Sequence, residues 1–238
     1  MKFTFLLFIV FFTKVARADL VMQEQVTFGN QTNIFNMTIK IHGDKIRQDT
    51  FGFAGAEPFA MSMIKDGNTG DSFILMHEQK TFTKNKKRKD IRDMDAALSQ
   101  PLDTGKSEKI GGYDTEIYNW SAPKRFWVGT NGMTEVLWIA KDFPNYEKIK
   151  PYFAKFEKAN VSILGNGMQP TMSSLPGMVV KLKMTVIMTQ FVQTIATTLV
   201  SVKEEPVDPA IFEVPSDYTE WKSPVTSHQT ASMTTTNK

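Results

Sequence analysis

The sequence predicts a mainly β fold in which antiparallel strands form one curved sheet and two or three helices pack on it. Apolar and polar residues alternate along most of the chain after residue 19, and Gly, Asp and Asn turn signals separate the alternating segments. Only a few segments have helical spacing. We count roughly ten strands, and a twisted sheet of that size tends to curl or close. We therefore expect an incomplete (half) barrel with the helices as a lid on its concave side.

The alternation is clearest in residues 35–41 and 178–188, where apolar side chains occupy every second position. Residues 42–44, 66–71 and 111–112 have the composition of tight turns, so consecutive strands should pair as hairpins. The Gly/Ala-rich segment 52–58 predicts a loop.

Two segments have helical character. In residues 90–98 the apolar residues recur at spacings of three and four, and Pro101 follows them. Residues 145–158 place an aromatic stripe on one side and lysines mostly on the other, with Pro151 predicting a kink or a late start.

The N-terminus has the layout of a secretory signal peptide. Lys2 precedes a short apolar run, and the residues up to Ala18 fit a cleavage site. The run is shorter than the ~20 residues that span a bilayer, which leaves an uncleaved anchor as the alternative. We expect cleavage after Ala18, a single periplasmic or secreted domain over residues 19–221 without a transmembrane segment, and a disordered Ser/Thr-rich tail over residues 222–238.

Charge and cysteine content exclude several classes. The formal charge of +3 comes from the signal segment, because removing its Lys2, Lys14 and Arg17 leaves equal numbers of basic and acidic residues. A nucleic-acid binder normally has a net basic footprint, so we expect none here. The chain has no cysteine, which excludes disulfides, thiol nucleophiles and a lipid-anchored lipoprotein.

One basic run, centred on Lys86, Lys87 and Arg88, stands out from this neutral background. It is either a solvated loop or a contact for an anionic surface.

Catalytic and metal-binding patterns are lacking in the sequence. The three histidines, His42, His77 and His228, do not have metal-ligand spacing, and no nucleophile elbow or phosphate loop accompanies them. We therefore expect no catalytic residues, no metal and no cofactor.

Methionine is frequent on the apolar strand faces. It is flexible and suits surfaces that accept irregular apolar partners, but it also fills gaps in ordinary cores. A cavity lined for acyl chains and plain core packing are both compatible with this usage.

Four stretches carry a family resemblance: ADLV at residues 18–21, IHGDKIRQD at 41–49, LWIAKD at 137–142 and PAIFEVPSDY at 209–218. The chain resembles a bacterial family of exported proteins of unknown function, which is similar to the outer-membrane lipoprotein carrier and lipoprotein-sorting proteins. The resemblance implies a half barrel whose helices cover a cavity for lipoprotein acyl chains. It also implies a latch between an early-strand arginine and the lid, for which Arg47 is the match.

Our leading hypothesis is an exported, non-catalytic protein that binds an apolar ligand such as lipid or lipoprotein acyl chains. The expected cavity residues are Met37, Ile39, Met61, Met63, Val136, Trp138, Phe153, Phe156, Leu182 and Met184. An envelope structural or protein-interaction module with a packed interior is the alternative, and a hydrolase is a third.

Overall fold

The computed structural model describes residues 19–29, 34–54, 57–85, 100–122, 132–158, 170 and 172–221. The predicted signal peptide, tail, helix 90–98 and basic residues Lys86, Lys87 and Arg88 lie outside these ranges.

Twelve strands form one open sheet. In chain order they are Asp19–Phe28 (β1), Ile34–His42 (β2), Lys45–Ala54 (β3), Glu57–Asp66 (β4), Ser72–Met76 (β5), Thr81–Asn85 (β6), Leu102–Ile110 (β7), Tyr113–Ser121 (β8), Gly132–Ala140 (β9), Met178–Ile187 (β10), Val192–Glu205 (β11) and Thr219–Glu220 (β12). Their spatial order is β12-β6-β5-β4-β3-β2-β1-β11-β10-β9-β8-β7, so the outer strands β12 and β7 do not pair with each other.

The sheet consists of two meanders joined by one long-range pairing. Strands β1 to β6 follow one another antiparallel, as do β7 to β11. Antiparallel pairing of β1 with β11 joins the two halves, with Val26 opposite Thr197. The exception to antiparallel order is β12, which pairs parallel to β6 over two residues.

The predicted turns are confirmed, and their backbone explains the residues used. Gly43, Gly111 and Gly112 have φ values of 57°, 57° and 89°, a region that glycine enters without steric cost. In the turn after β4, the Asp66 carboxylate accepts hydrogen bonds from the amides of Asn68 and Thr69 at 2.8 and 3.0 Å.

The loop predicted for residues 52–58 is wrong. Strand β3 continues to Ala54 and β4 begins at Glu57, so the Gly/Ala composition lies within a hairpin. Gly52 pairs opposite Phe59, and a Cβ atom there would lie 2.3 Å from Cδ1 of Phe35. The glycine is therefore used for the close approach of an aromatic ring rather than for a turn.

The described residues contain one α-helix, Tyr146–Lys158 (α1), and two short 3-10 helices, Met172–Ser174 and Pro209–Phe212. Pro151 lies inside α1, which begins at Tyr146 without the predicted late start. The buried side of α1, with Tyr146, Ile149 and Phe153, belongs to the main core cluster together with strand residues such as Met22 and Ile39.

The described residues before β10 pack on the sheet through a second core cluster, which includes Leu175, Val179 and Leu182. Leu175 is buried, and the Tyr146 hydroxyl donates toward the carbonyl oxygens of Met172 and Leu175 at 3.3 and 3.4 Å. Gly177 then passes so close to β9 that a Cβ atom would lie 2.2 Å from the backbone oxygen of Ala140. The backbone oxygen cannot rotate away as a side chain could.

We predict that Gly177→Ala destabilises the fold by about 1–3 kcal/mol, because the start of β10 must shift away from Ala140. Chemical denaturation followed by tryptophan fluorescence measures the change. Ser174→Ala, at an exposed position nearby, should cost less than about 0.5 kcal/mol, and equal effects of the two variants would contradict the steric explanation.

Candidate functional site

Two neighbouring cavities lie on the sheet face that α1 partly covers. The larger has a volume of about 430 Å³ and receives two residues from each of six strands. These residues are Val26, Phe28, Phe35, Met37, Gln48, Thr50, Phe59, Met61, Leu182, Met184, Ile195 and Thr197. Such a volume falls within the usual range of small-molecule sites, and nine of the twelve residues are apolar.

Strand register brings this lining together. Successive cross-strand pairs place Met61 opposite Thr50, Thr50 opposite Met37, and Leu182 opposite Thr197. Because side chains alternate between faces, the two lining residues of each strand, which are two positions apart, project from the same face of the sheet. The site therefore depends on the β1–β11 pairing, which makes the two meanders one continuous floor.

Aromatic rings form one wall of the larger cavity. Phe35 packs edge to face against Phe28 at 5.2 Å and against Phe59 at 6.4 Å between ring centres. The absence of a side chain at Gly52 leaves room for the Phe35 ring.

The smaller cavity, about 30 Å³, adjoins the larger one and lies against α1. Leu182 and Thr197 line both cavities, and Phe153 contributes the helix side chain to the smaller. The remaining lining residues are Met22, Glu24, Ile39, Met172, Met178, Val179, Val180, Lys181 and Leu199.

Most of the expected cavity residues lie at one cavity or the other. Met37, Met61, Leu182 and Met184 line the larger, while Ile39 and Phe153 line the smaller with Leu182.

Three expected residues, Met63, Val136 and Trp138, are not among the described residues that line these two cavities. Trp138 alternates in β9 with Leu137, the strand partner of Leu182, and its indole Nε1 donates to Glu108 at 2.7 Å. Phe156 lies in α1, and the structure describes only its backbone.

Glu24 is a polar residue of the smaller cavity that was not predicted from the sequence. It occupies the apolar phase of β1 between Met22 and Val26, opposite Met37 and Leu199. Although part of the residue remains accessible, its Oε2 atom is buried with no hydrogen-bond partner among the described residues. Burial raises the pKa of the Glu24 carboxyl to about 7.

A second polar group lies on the opposite face of the sheet, around Arg47. The guanidinium donates to Asp49 at 2.5 Å, to the Ser62 hydroxyl at 2.8 Å and to the backbone oxygen of Ile211 at 2.6 Å. Arg47 therefore holds the C-terminal 3-10 helix Pro209–Phe212, whereas the expected latch joined it to a helical lid. A latch between Arg47 and a helical lid stays a prediction, and the contacts described here join Arg47 to the sheet and to this 3-10 helix.

His77 continues this Arg47 cluster. Its Nε2 lies 2.6 Å from the Ser62 hydroxyl, and its Nδ1 lies 2.6 Å from the Tyr218 hydroxyl. Burial lowers the pKa of His77, the Arg47 charge adds to this, and Asp49 partly offsets it. Burial would raise the pKa of Asp49, but hydrogen bonds from Ser62, Lys40 and Arg47 outweigh it and lower that pKa.

The Ser62–His77 contact does not have the arrangement of a catalytic triad. Asp49 accepts a hydrogen bond from Ser62 at 2.6 Å, whereas a triad carboxylate orients the histidine. Ser62 is also fully buried beneath these partners. The cluster is suited to fastening the C-terminal segment to the sheet.

We predict that Arg47→Met lowers the free energy of unfolding by about 2–3 kcal/mol, because it removes hydrogen bonds to a charged group and leaves Asp49 with fewer partners. Hydrogen exchange should show faster opening near Ile211. Lys40→Met removes a different, more exposed Asp49 partner and should cost under about 1 kcal/mol. Similar losses in both variants would refute the fastening role.

We also predict that Glu24→Gln stabilises the protein at pH 8 by up to about 3 kcal/mol, following the 1.36 kcal/mol per pKa unit between 4.5 and about 7. The folded-state pKa is raised, so the folded protein binds the proton more tightly than the unfolded chain. Glu24 therefore favours folding below its unfolded pKa, and that contribution is lost as pH rises through about 7. Denaturation curves at pH 4.5 and 8 measure the difference, which should nearly vanish at the lower pH.

No helix in the described part of the chain is both long and apolar enough to cross a membrane. Comparison with curated proteins gives no match.

Three solved structures are similar to this chain at low sequence identity. PNGF-II matches at 15% identity and a TM-score of 0.41, over 87% of this chain, which spans only about a third of PNGF-II (31%). A putative outer membrane lipoprotein-sorting protein domain from Vibrio parahaemolyticus matches at 12% identity and a TM-score of 0.34, over 82% of this chain and 89% of that one. A DUF1329 family protein from Desulfovibrio piger matches at 12% identity and a TM-score of 0.35, over 82% and 90% of the two chains.

A family model also matches most of the chain. It covers residues 20–218, from the second residue of β1 to the residue before β12, and so includes both cavities and the Arg47 cluster. The chain therefore belongs to the family described as Domain of unknown function (DUF4412).

Proposed function

We propose that this chain is an exported, non-catalytic protein that binds an apolar ligand, such as the acyl chain of a lipid or lipoprotein, in the larger cavity. The observation that carries the proposal is the 430 Å³ space with apolar walls from six strands. Gln48, Thr50 and Thr197 are its polar lining residues, which is few for a site that would bind a polar metabolite.

The energetics of burial favour an alkyl chain. Each methylene removed from water contributes about 0.8 kcal/mol, so a chain of moderate length would bind without any specific polar contact. Met37, Met61 and Met184 give the walls the flexibility to follow different chain shapes.

Exposed apolar side chains at one end of the sheet support the same proposal. Ile34 is 50% exposed and directly precedes the cavity residue Phe35, while Val192 is 64% exposed at the start of β11, close to Ile195. Apolar surface of this kind often marks the place where an apolar partner is delivered. An envelope interaction module with a packed interior is the second candidate, but an open cavity of this size favours ligand binding.

The location and the lid belong to the same proposal. Export to the periplasm or beyond, with cleavage after Ala18, would place the protein where lipoproteins and lipids move between membranes. Helix α1 would act as a partial cover, since Phe153 reaches the smaller cavity.

The test uses two adjacent threonines that point to opposite faces. Thr197 lines both cavities, whereas Thr198 alternates with it and pairs with Gln25. We predict that Thr197→Phe fills the larger cavity and weakens uptake of the neutral probe diphenylhexatriene at least about tenfold, while Thr198→Phe changes it less than about twofold. Fluorescence titration of delipidated protein provides the measurement.

Native mass spectrometry of protein purified from cell envelopes adds a second readout. We expect a bound lipid on the wild-type chain and on Thr198→Phe, with less on Thr197→Phe. Wild-type protein that carries no lipid and takes up no probe would refute the proposed function.

A further inference from the structure

Glu24 gives the proposed ligand site a polar end. Its buried Oε2 atom has no hydrogen-bond partner among the described residues and lies beside a mostly apolar cavity of about 30 Å³. A cavity needs roughly 10–15 Å³ to hold one water molecule, so this space admits a small polar group. An acceptor atom left without a donor in such a place costs free energy that a ligand donor would recover.

The two cavities are arranged in line along β1. Glu24 lines the smaller cavity, and Val26 and Phe28, the next residues on the same face, line the larger. Two residues of a strand span about 7 Å, which is several carbon–carbon bonds of an alkyl chain. A chain lying in the larger cavity would thus bring its terminal group to Glu24.

A β-bulge fixes the position of this carboxyl group. The register between β1 and β11 shifts between Gln23 and Glu24, where Ser201 and Leu199 are their respective partners and Val200 is the extra residue. Bulges re-aim side chains and are frequent beside functional sites. Here the shift places Glu24 opposite Leu199, another residue of the smaller cavity.

The charges around the smaller cavity favour a cationic group. Lys181 is the other charged residue among its lining, and the Lys181 ammonium lies 4.6 Å from the centre of the Trp138 ring rather than at the Glu24 carboxyl. A carboxylate that accepts from a ligand ammonium forms a charge-assisted hydrogen bond, which is stronger than one to a neutral hydroxyl. A ligand carboxylate at the same place would meet like charge.

We infer that the ligand is a long-chain primary amine, whose ammonium group lies in the smaller cavity against Glu24 and whose chain extends through the larger cavity toward Phe28 and Phe35. The inference rests on the proposed function and gives it a ligand class. Burial of the alkyl chain contributes the hydrophobic free energy, and the ammonium donates the hydrogen bond that Oε2 of Glu24 does not receive from the described residues.

The experiment compares three twelve-carbon ligands, dodecylamine, dodecanol and dodecanoate, as competitors of diphenylhexatriene at pH 7.5. Wild-type protein should bind dodecylamine at least about tenfold more tightly than either of the others. Glu24→Gln should bring the amine to within about threefold of the alcohol. Glu204→Gln removes one exposed carboxylate with the same change in net charge and should keep the wild-type preference.

A calorimetric measurement on the wild-type chain provides a readout that does not depend on a variant. At pH 6, binding of dodecylamine should release a proton, since the ammonium stabilises the ionised Glu24, and dodecanol should release none. Titrations in buffers with different ionisation enthalpies count the proton.

The outcomes separate this inference from the proposed function. Three results would refute the inference while the probe still binds: equal competition by the three ligands, an amine preference that survives in Glu24→Gln, or binding of dodecylamine without proton release. In each case the smaller cavity would hold only water. If neither the probe nor any of the three ligands binds, the proposed function itself fails.

Discussion

Pairing of the first strand with the last long strand is the constraint on which the rest of the structure depends. Val26 in β1 lies opposite Thr197 in β11, although most of the chain separates them. Closing so long a segment costs conformational entropy, which the ten paired positions and their buried side chains must offset. Without this pairing the two meanders would each present half of a cavity floor and neither would enclose a volume.

The same pairing decides the chemistry of the site. It brings Leu199 and Thr197 beside β1, and its bulge sets the position of Glu24. The apolar walls and the single carboxyl group at their inner end are therefore consequences of one strand register. A shift of one residue in that register would send each of these side chains to the other face.

Strand alternation made much of the fold and part of the site predictable from the sequence. It identified Met37, Met61, Leu182 and Met184, which line the larger cavity. Alternation assigns faces only within a strand, however, and cannot say how the faces of distant strands align. Val136 and Trp138 are apolar in phase in β9 and pack in the main core cluster, yet neither of them lines the two cavities.

The two polar sites were harder to predict for related reasons. Glu24 had a signal that could have been used, because it is a carboxylate in the apolar phase of a strand. In the Arg47 cluster the family resemblance pointed to Arg47 alone, since Ser62, His77 and Tyr218 are brought to it only by the register of three strands and the return of the C-terminal segment. In this fold one sheet face encloses the cavities, and the other face carries the hydrogen bonds that retain the end of the domain.

The outer strand β7 has a consequence for how copies of the protein meet. Its ladder with β8 is interrupted between Asp103 and Lys106, where Gly105 has a φ of 67°, and several charged side chains follow along it. A kinked, charged border resists the addition of a neighbouring strand. This border therefore opposes edge-to-edge pairing of copies into fibrils, on the side of the sheet farthest from β12.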